Sequence, residues 1–329
     1  MHRDYFVEGT ERLVNPVTAG SVHFLQPFFG ALPKRIQHKV LDRSSKTTPY
    51  MGFVVDPYAL FVFYEVRDVQ AAESMLPEGF SLARARAFEG DEERFYAIQG
   101  FFRVRTSVFW GSRAELYLVA RNQRTGLLSW VIVDYLSDTV SYDRAFGLRA
   151  PSAPQSVVTT TADARVVVDV KDPKGERASK YDVSLRGATM RRLDERLWLE
   201  GNLSIGYGPQ LSPDDPAVFS LTFRPEEMTE ALDIPALALE HAFTSWCGEV
   251  LDKDPACVVC FPFAQHLLCD SPGSASEVGS IEELRRRAGS VDFNKVANFS
   301  MASTRKAVVG SALACALLIV GLVVALVLK

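Results

Sequence analysis

Runs rich in aromatic and β-branched residues recur through the middle of the chain. Tyr58–Val66 (YALFVFYEV) is rich in aromatic and β-branched residues and predicts a strand. Phe95–Arg105, Ala114–Arg121 and Gly126–Tyr135 repeat the pattern, with a hairpin loop over Asn122–Gly126. Further strands are predicted at Thr159–Lys171, Tyr181–Arg192, Arg196–Ile205 and Ala217–Phe223, the first two parted by the turn Asp172–Gly175. Many short strands at close spacing predict a closed or strongly curved antiparallel sheet. Helical signals are fewer. Asp68–Leu76 predicts a short helix that stops at the turn Leu76-Pro77-Glu78-Gly79. Pro225–Leu251 predicts two short helices interrupted at Pro235. Ser280-Ile281-Glu282-Glu283 has the form of a capping box and opens a helix to about Gly289.

The ends differ from the middle. Residues 1–50 carry polar turns and one apolar run, Val22–Leu32, broken by Pro27 and Gly30; they predict an N-terminal arm. Residues 51–275 hold the strands, and 276–306 read as a helical linker. Ala307–Leu328 is uncharged and apolar. Its length, about 33 Å as an α-helix, matches a hydrocarbon core of about 30 Å. The expectation is a single-pass C-terminal anchor. Arg285, Arg286, Arg287, Arg305 and Lys306 precede it, which places the N-terminal domain on the cytosolic side. The lipid bilayer is then an expected partner. Small residues at four-residue spacing (Gly310 and Ala314, Ala312 and Ala316) could let two anchors pack, which would make a homo-oligomer.

Composition adds little and excludes one class. The 329 residues are 47% hydrophobic and 23% charged, with a net charge of -4. That mild acidity argues against a nucleic-acid partner, which would want a basic face. Twenty-one phenylalanines suit a large core or an apolar cavity. Five cysteines on a cytosolic chain argue against a disulfide framework. Cys257-x2-Cys260-x5-His266-x2-Cys269 has zinc-type ligands, but the intervening residues are bulky and apolar, so these four are weak candidates and no metal is expected. No P-loop, Gly-x-Ser-x-Gly, His-Glu-x-x-His or dinucleotide fingerprint occurs, and no cofactor is expected.

Three landmarks lie in order between Tyr58 and Lys171. A strand is followed by a short helix ending in Leu76-Pro77-Glu78-Gly79. Ser112-Arg113-Ala114-Glu115-Leu116-Tyr117-Leu118-Val119 has a glutamate inside a strand. Asp134–Pro151 combines small residues, Arg144 and Gly147-Leu148-Arg149-Ala150-Pro151. This stretch resembles the acetoacetate decarboxylase-like superfamily. The resemblance implies an α+β, mainly antiparallel, cone-like closed β-barrel with an internal ligand cavity and a few flanking helices, here with one C-terminal transmembrane helix. The family's Schiff-base lysine would fall in the Gly147–Pro151 segment, where there is none. No lysine occurs between Lys46 and Lys171. Arg149 is the nearest cation, and a guanidinium stays protonated and cannot act as an amine nucleophile.

The resemblance places the family's glutamate at Glu115 and its arginine at or beside Arg67. Glu115 is the candidate acid or base if it faces a cavity; the plain alternative is that it faces solvent or pairs with Arg113 or Arg121. Arg149 is a candidate grip for a carboxylate. Trp110, Tyr117, Trp130 and Tyr135 are candidates to line a pocket, though aromatics on strands are commonly core. The expected function is therefore a membrane-anchored binder of a small apolar or amphipathic acid, lipid-derived in keeping with the anchor, without Schiff-base decarboxylation. Two alternatives stand beside it: a lyase or hydratase that uses Glu115 as acid/base, and a non-catalytic membrane-tethered scaffold.

Overall fold

The computed structural model describes residues 4–16, 19–20, 23, 26–27, 30–37, 39, 51–106, 109–143, 147–212, 219–269, 278–296 and 301–327. Helix α1 (Tyr5–Leu13) is capped by the Asp4 carboxylate, which accepts from the Phe6 and Val7 amides. Strands β1 (Met51–Val55) and β2 (Ala59–Glu65) lead to helix α2 (Val69–Ser74), capped by Asp68. Next come β3 (Phe80–Leu82), β4 (Arg84–Ala85), the two longest strands β5 (Arg94–Thr106) and β6 (Trp110–Asn122), and β7 (Leu128–Ser137). The hairpin β8 (Ser141–Asp143) and β9 (Gly147–Arg149) precedes β10 (Val157–Thr161), β11 (Arg165–Lys171), β12 (Ala178–Ser184) and β13 (Thr189–Arg192). A π-helical turn, Arg196–Glu200, runs into Gly201–Leu203. The chain continues through β14 (Ile205–Tyr207), β15 (Leu221–Phe223), β16 (Glu230–Ile234), β17 (Leu239–Thr244), β18 (Cys257–Phe261) and β19 (Gln265–Cys269). Helices α3 (Ile281–Ser290) and α4 (Met301–Val327) follow.

The architecture is mostly antiparallel sheet with few helices. A 13-stranded sheet is built around β5, and β10-β11-β12-β17 form a second, four-stranded sheet. One edge of β5 pairs with two strands in succession, β2 at Tyr96–Phe101 and β1 at Val104–Thr106. From β2 one branch runs outward through β18, β16 and β13. The other branch takes a different course. β1 pairs β5, β5 pairs β6, β6 pairs β7, and β7 pairs β14 in parallel. Ile205 of β14 then bridges Phe219, just before β15, through two hydrogen bonds of 2.9 Å. β15 pairs β19, and β19 pairs β1. This run of pairings returns to the strand it began from.

Both faces of β5 and β6 are covered, which is why their burial is nearly continuous instead of alternating. Ile98, Phe102, Tyr117, Val119, Trp130 and Ile132 share an inner apolar cluster. Leu116, Leu118, Val131 and Val133 point the other way, against Val166, Val168, Tyr181 and Val183 of the second sheet. A third, small cluster joins Phe6 and Leu13 of α1 to Leu268 and Phe293.

Several predicted strands appear as expected, among them β2, β5, β6 and β7. The capping box is formed, with Ser280 Oγ accepting from the Glu283 amide at 3.2 Å. Two expectations are corrected. Arg196–Ile205 is a π-helical and helical turn up to Leu203, because Leu197, Trp198 and Leu199 are buried in succession, which a two-sided strand with one wet face does not allow. Pro225–Leu251 is not a pair of α-helices. Pro225–Met228 is one 3-10 turn, and Glu230–Ile234 and Leu239–Thr244 are strands β16 and β17, drawn into ladders with β13, β18 and β12. The apolar run Val22–Leu32 lies partly outside the described residues.

The expected membrane anchor is also corrected. Among the described residues, no helix is long and apolar enough to cross a membrane. The single-pass C-terminal anchor, and the membrane placement drawn from it, are therefore withdrawn.

Candidate functional site

Inward positions on β1, β5, β6, β7, β14, β15 and β19 line a cavity of about 170 Å³. Its wall is chiefly apolar, with Phe61, Phe102, Phe109, Trp130, Trp198 and Phe219 among the lining residues. Trp198, delivered by the π-helical turn, packs into this aromatic group. Its ring lies 5.3 Å from Phe61, 5.1 Å from Phe261 and 5.2 Å from Trp130. Its indole N–H donates to the Ala87 carbonyl at 2.8 Å, so the ring leaves no orphan donor. Gly100 sits opposite Glu115 on the neighbouring strand. A Cβ there would come within 3.0 Å of Phe61 and 3.1 Å of Tyr117, so glycine leaves room for both rings.

The charged groups of this cavity come from alternate positions of β6. Arg113, Glu115 and Tyr117 share one strand face and all line the cavity. Arg113 Nε lies 2.7 Å from Glu115 Oε1. The contact is an ion pair off the hydrogen-bonding direction, since that buried nitrogen has no hydrogen bond of good geometry. The Tyr117 hydroxyl donates to Glu115 Oε2. Burial pushes the Tyr117 phenol well above its ordinary pKa, and the Glu115 charge adds to the shift, so Tyr117 stays a donor. Burial works against the Arg113 charge, yet Glu115 and the surrounding phenols raise its pKa overall. The Arg113 guanidinium also lies 4.7 Å from the centre of the Tyr135 ring. Tyr207, on β14, lines the same cavity, and burial raises its pKa too.

A β-bulge positions Tyr135. The β6–β7 register shifts between Leu116 and Tyr117, so Glu115 faces Tyr135 while Tyr117 faces Ile132. The extra residue turns Tyr135 to the inner face, under Arg113, after Trp130 and Ile132. The neighbouring Asp134 is fixed by the Arg177 guanidinium at 3.0 Å and the Trp246 indole at 2.8 Å.

The candidates read from the sequence divide cleanly. Glu115, Tyr117 and Trp130 line the cavity. For Glu115 the two readings combine, because it is buried in the cavity and also paired with Arg113. Trp110 does not line it and is 45% exposed. Arg149 is exposed on the short β8–β9 hairpin and is not a lining residue. Arg67 is exposed and donates to the Gly248 and Glu249 carbonyls at 3.1 and 3.0 Å, which makes it a clamp on a loop. The ligand set Cys257, Cys260, His266 and Cys269 does not converge. Residues three apart on a strand point to opposite faces. Cys257 packs on the inner cluster and Cys260 on the outer one, while Cys269 lines the cavity and His266 faces α1 and Glu227. No group of three or more His, Cys, Asp or Glu side chains among the described residues is placed to hold a metal ion.

Sequence reasoning missed Arg113, Tyr207 and Gln265 as cavity residues. For Arg113 the signal was present, since it stands two positions before Glu115 and must share its face. Tyr207 and Gln265 sit on short strands whose inward face the sequence pattern does not mark.

No protein-family model matches the chain, and no curated protein sequence matches it. Among solved structures, the acetoacetate decarboxylase of Legionella pneumophila is similar to it with a TM-score of 0.41 and 13% sequence identity. The match covers 66% of this chain and 84% of that one. Both values are too low for the likeness to bear on function.

Proposed function

We propose that the inner strands form a closed, cone-like barrel whose cavity binds a small apolar carboxylic acid, without Schiff-base chemistry. The observation that carries this reading is one charge-balanced pair, Arg113 and Glu115, set in a largely apolar cavity. The return of the pairings from β19 to β1 supports the barrel. The size sets the ligand. An apolar cavity of about 150 Å³ takes a benzene-sized guest, so about 170 Å³ suits one ring or a short branched chain and is too small for a long acyl tail. Lysine is absent from the described residues that line the cavity, which leaves no amine for an imine. Glu115 is engaged by both Arg113 and Tyr117, which favours holding a ligand over moving its protons.

Charge balance has a consequence for how an acid enters. Arg113 is already neutralised by Glu115, so a bare carboxylate would leave one uncompensated buried charge, which is costly. The acid therefore enters with a proton. Trp130 and Trp198 in the wall give a fluorescence signal for a titration with benzoic acid. Saturable quenching is expected, with affinity weakening about tenfold per pH unit between pH 5 and pH 7. In the double variant Arg113→Met/Glu115→Gln the affinity at pH 5 should fall at least about tenfold, the worth of one hydrogen bond to a charged group. No saturable response at either pH would overturn the reading.

A further inference from the structure

Gln265 lies on the inner face of β19, lines the cavity and is only 4% exposed. Among the described residues its amide has no hydrogen-bond partner. The contrast with the other deeply buried glutamine of the sheet is sharp. Gln99 Oε1 accepts from the Tyr181 and Ser179 hydroxyls at 2.8 and 3.3 Å, and its Nε2 donates to Thr244 at 3.0 Å. Buried polar side chains are nearly always satisfied in this way, so an amide aimed into a cavity without a partner marks a place for one.

Its position relative to Arg113 defines what that partner must be. Along the pairings, β6 and β19 are separated by β5 and β1 in one direction and by β7, β14 and β15 in the other. Three steps one way and four the other put the two strands on facing walls. On facing walls, Arg113 and Gln265 meet a ligand from opposite sides, so the amide is placed to take a group other than the carboxyl held at Arg113. A primary amide offers both a donor and an acceptor, so it can meet a hydroxyl, a ketone or a carboxamide.

We propose that Gln265 receives a second polar group of the ligand. The ligand class is then a ring-sized carboxylic acid bearing a hydroxyl, keto or carboxamide group at the end away from its carboxyl. The inference rests on the acid-binding reading above and extends it to specificity. A site built to hydrogen-bond a group discriminates strongly against the analogue that lacks it, because its own polar atoms are then left unpaired.

The test compares benzoic acid with 3-hydroxybenzoic, 4-hydroxybenzoic and 4-carbamoylbenzoic acids at pH 5, using the tryptophan quenching of the full chain. At least one substituted acid should bind about tenfold or more tightly than benzoic acid. In Gln265→Leu that preference should disappear. Gln265→Met, read with the same four acids and a thermal melt, covers the case in which the leucine variant fails to fold. If benzoic acid binds and no substituted acid exceeds it, this inference falls and the acid-binding reading stands. If none of the four acids binds, both fall. A preference that survives in both Gln265 variants also overturns the role given to Gln265.

Discussion

Arg113 and Glu115 stand two residues apart on one strand, with side chains only 14% and 9% exposed. Removing two charges from water costs several kcal/mol per ion, and their attraction returns about that much, so such a pair adds little net stability. Breaking it is another matter. Arg113→Met alone should destabilise the fold by roughly 3 kcal/mol or more, because the Glu115 carboxylate would be left buried with only the Tyr117 hydroxyl. Arg113→Met/Glu115→Gln should recover most of that loss. Urea unfolding of both variants measures the difference, and a double variant no more stable than the single one would show that the pair does more than neutralise itself. At this scale the sequence was partly legible. The glutamate inside a strand and the aromatics at 117 and 130 were marked by their neighbours. Arg149 was favoured only because it lay nearest to the missing lysine, and no local pattern shows that its hairpin stands away from the cavity.

Secondary-structure elements misled where tertiary contacts override local preference. Arg196–Leu203 has the bulky apolar residues of a strand, yet its work is to carry Trp198 into the cavity wall, which needs consecutive buried side chains. Glu230–Thr244 holds good helix formers, but β13, β18 and β12 offer open edges that take it as two strands. Helix α1 was not predicted as a helix. It rests on the outer wall, where Leu13 lies against Gly52 and the Leu268 side chain. A histidine helps to hold it there. His266 Nδ1 lies 3.0 Å from Glu227 and its Nε2 3.4 Å from Glu11 of α1. Burial alone would lower the His266 pKa, but the hydrogen bonds and charges of Glu227 and Glu11 carry it above the ordinary 6.5. A raised folded-state value means that this stabilisation is complete below pH 6.5 and fades as pH climbs through the folded pKa. Hydrogen exchange of α1, corrected for intrinsic rates, should therefore show tighter docking at pH 6 than at pH 9. His266→Gln should flatten the dependence, and an unchanged profile in that variant would assign it elsewhere.

At the scale of the whole molecule, mainly antiparallel sheet was legible from many short strands with turn residues between them. The branching of the larger sheet was not. It depends on one long strand, β5, offering the same edge to two partners, and periodicity cannot report which strands share an edge. The C-terminal expectation is corrected at this scale too, since among the described residues no helix is long and apolar enough to cross a membrane. The pairings around the cavity are also uneven. β5 and β6 share nine residue pairs, whereas among the described residues β14 and the segment entering β15 meet only at Ile205 and Phe219. Short ladders separate before long ones, because fewer bonds must break together. The amides of Ile205 and Phe219 should thus exchange with solvent well ahead of those at Gln99 or Leu118, and equal protection would argue against a weak link there. In the proposed barrel such a seam would give a guest a way in and out by parting two residues, so the tempo of exchange would be set by the wall's least-stitched join and not by the depth of the pocket.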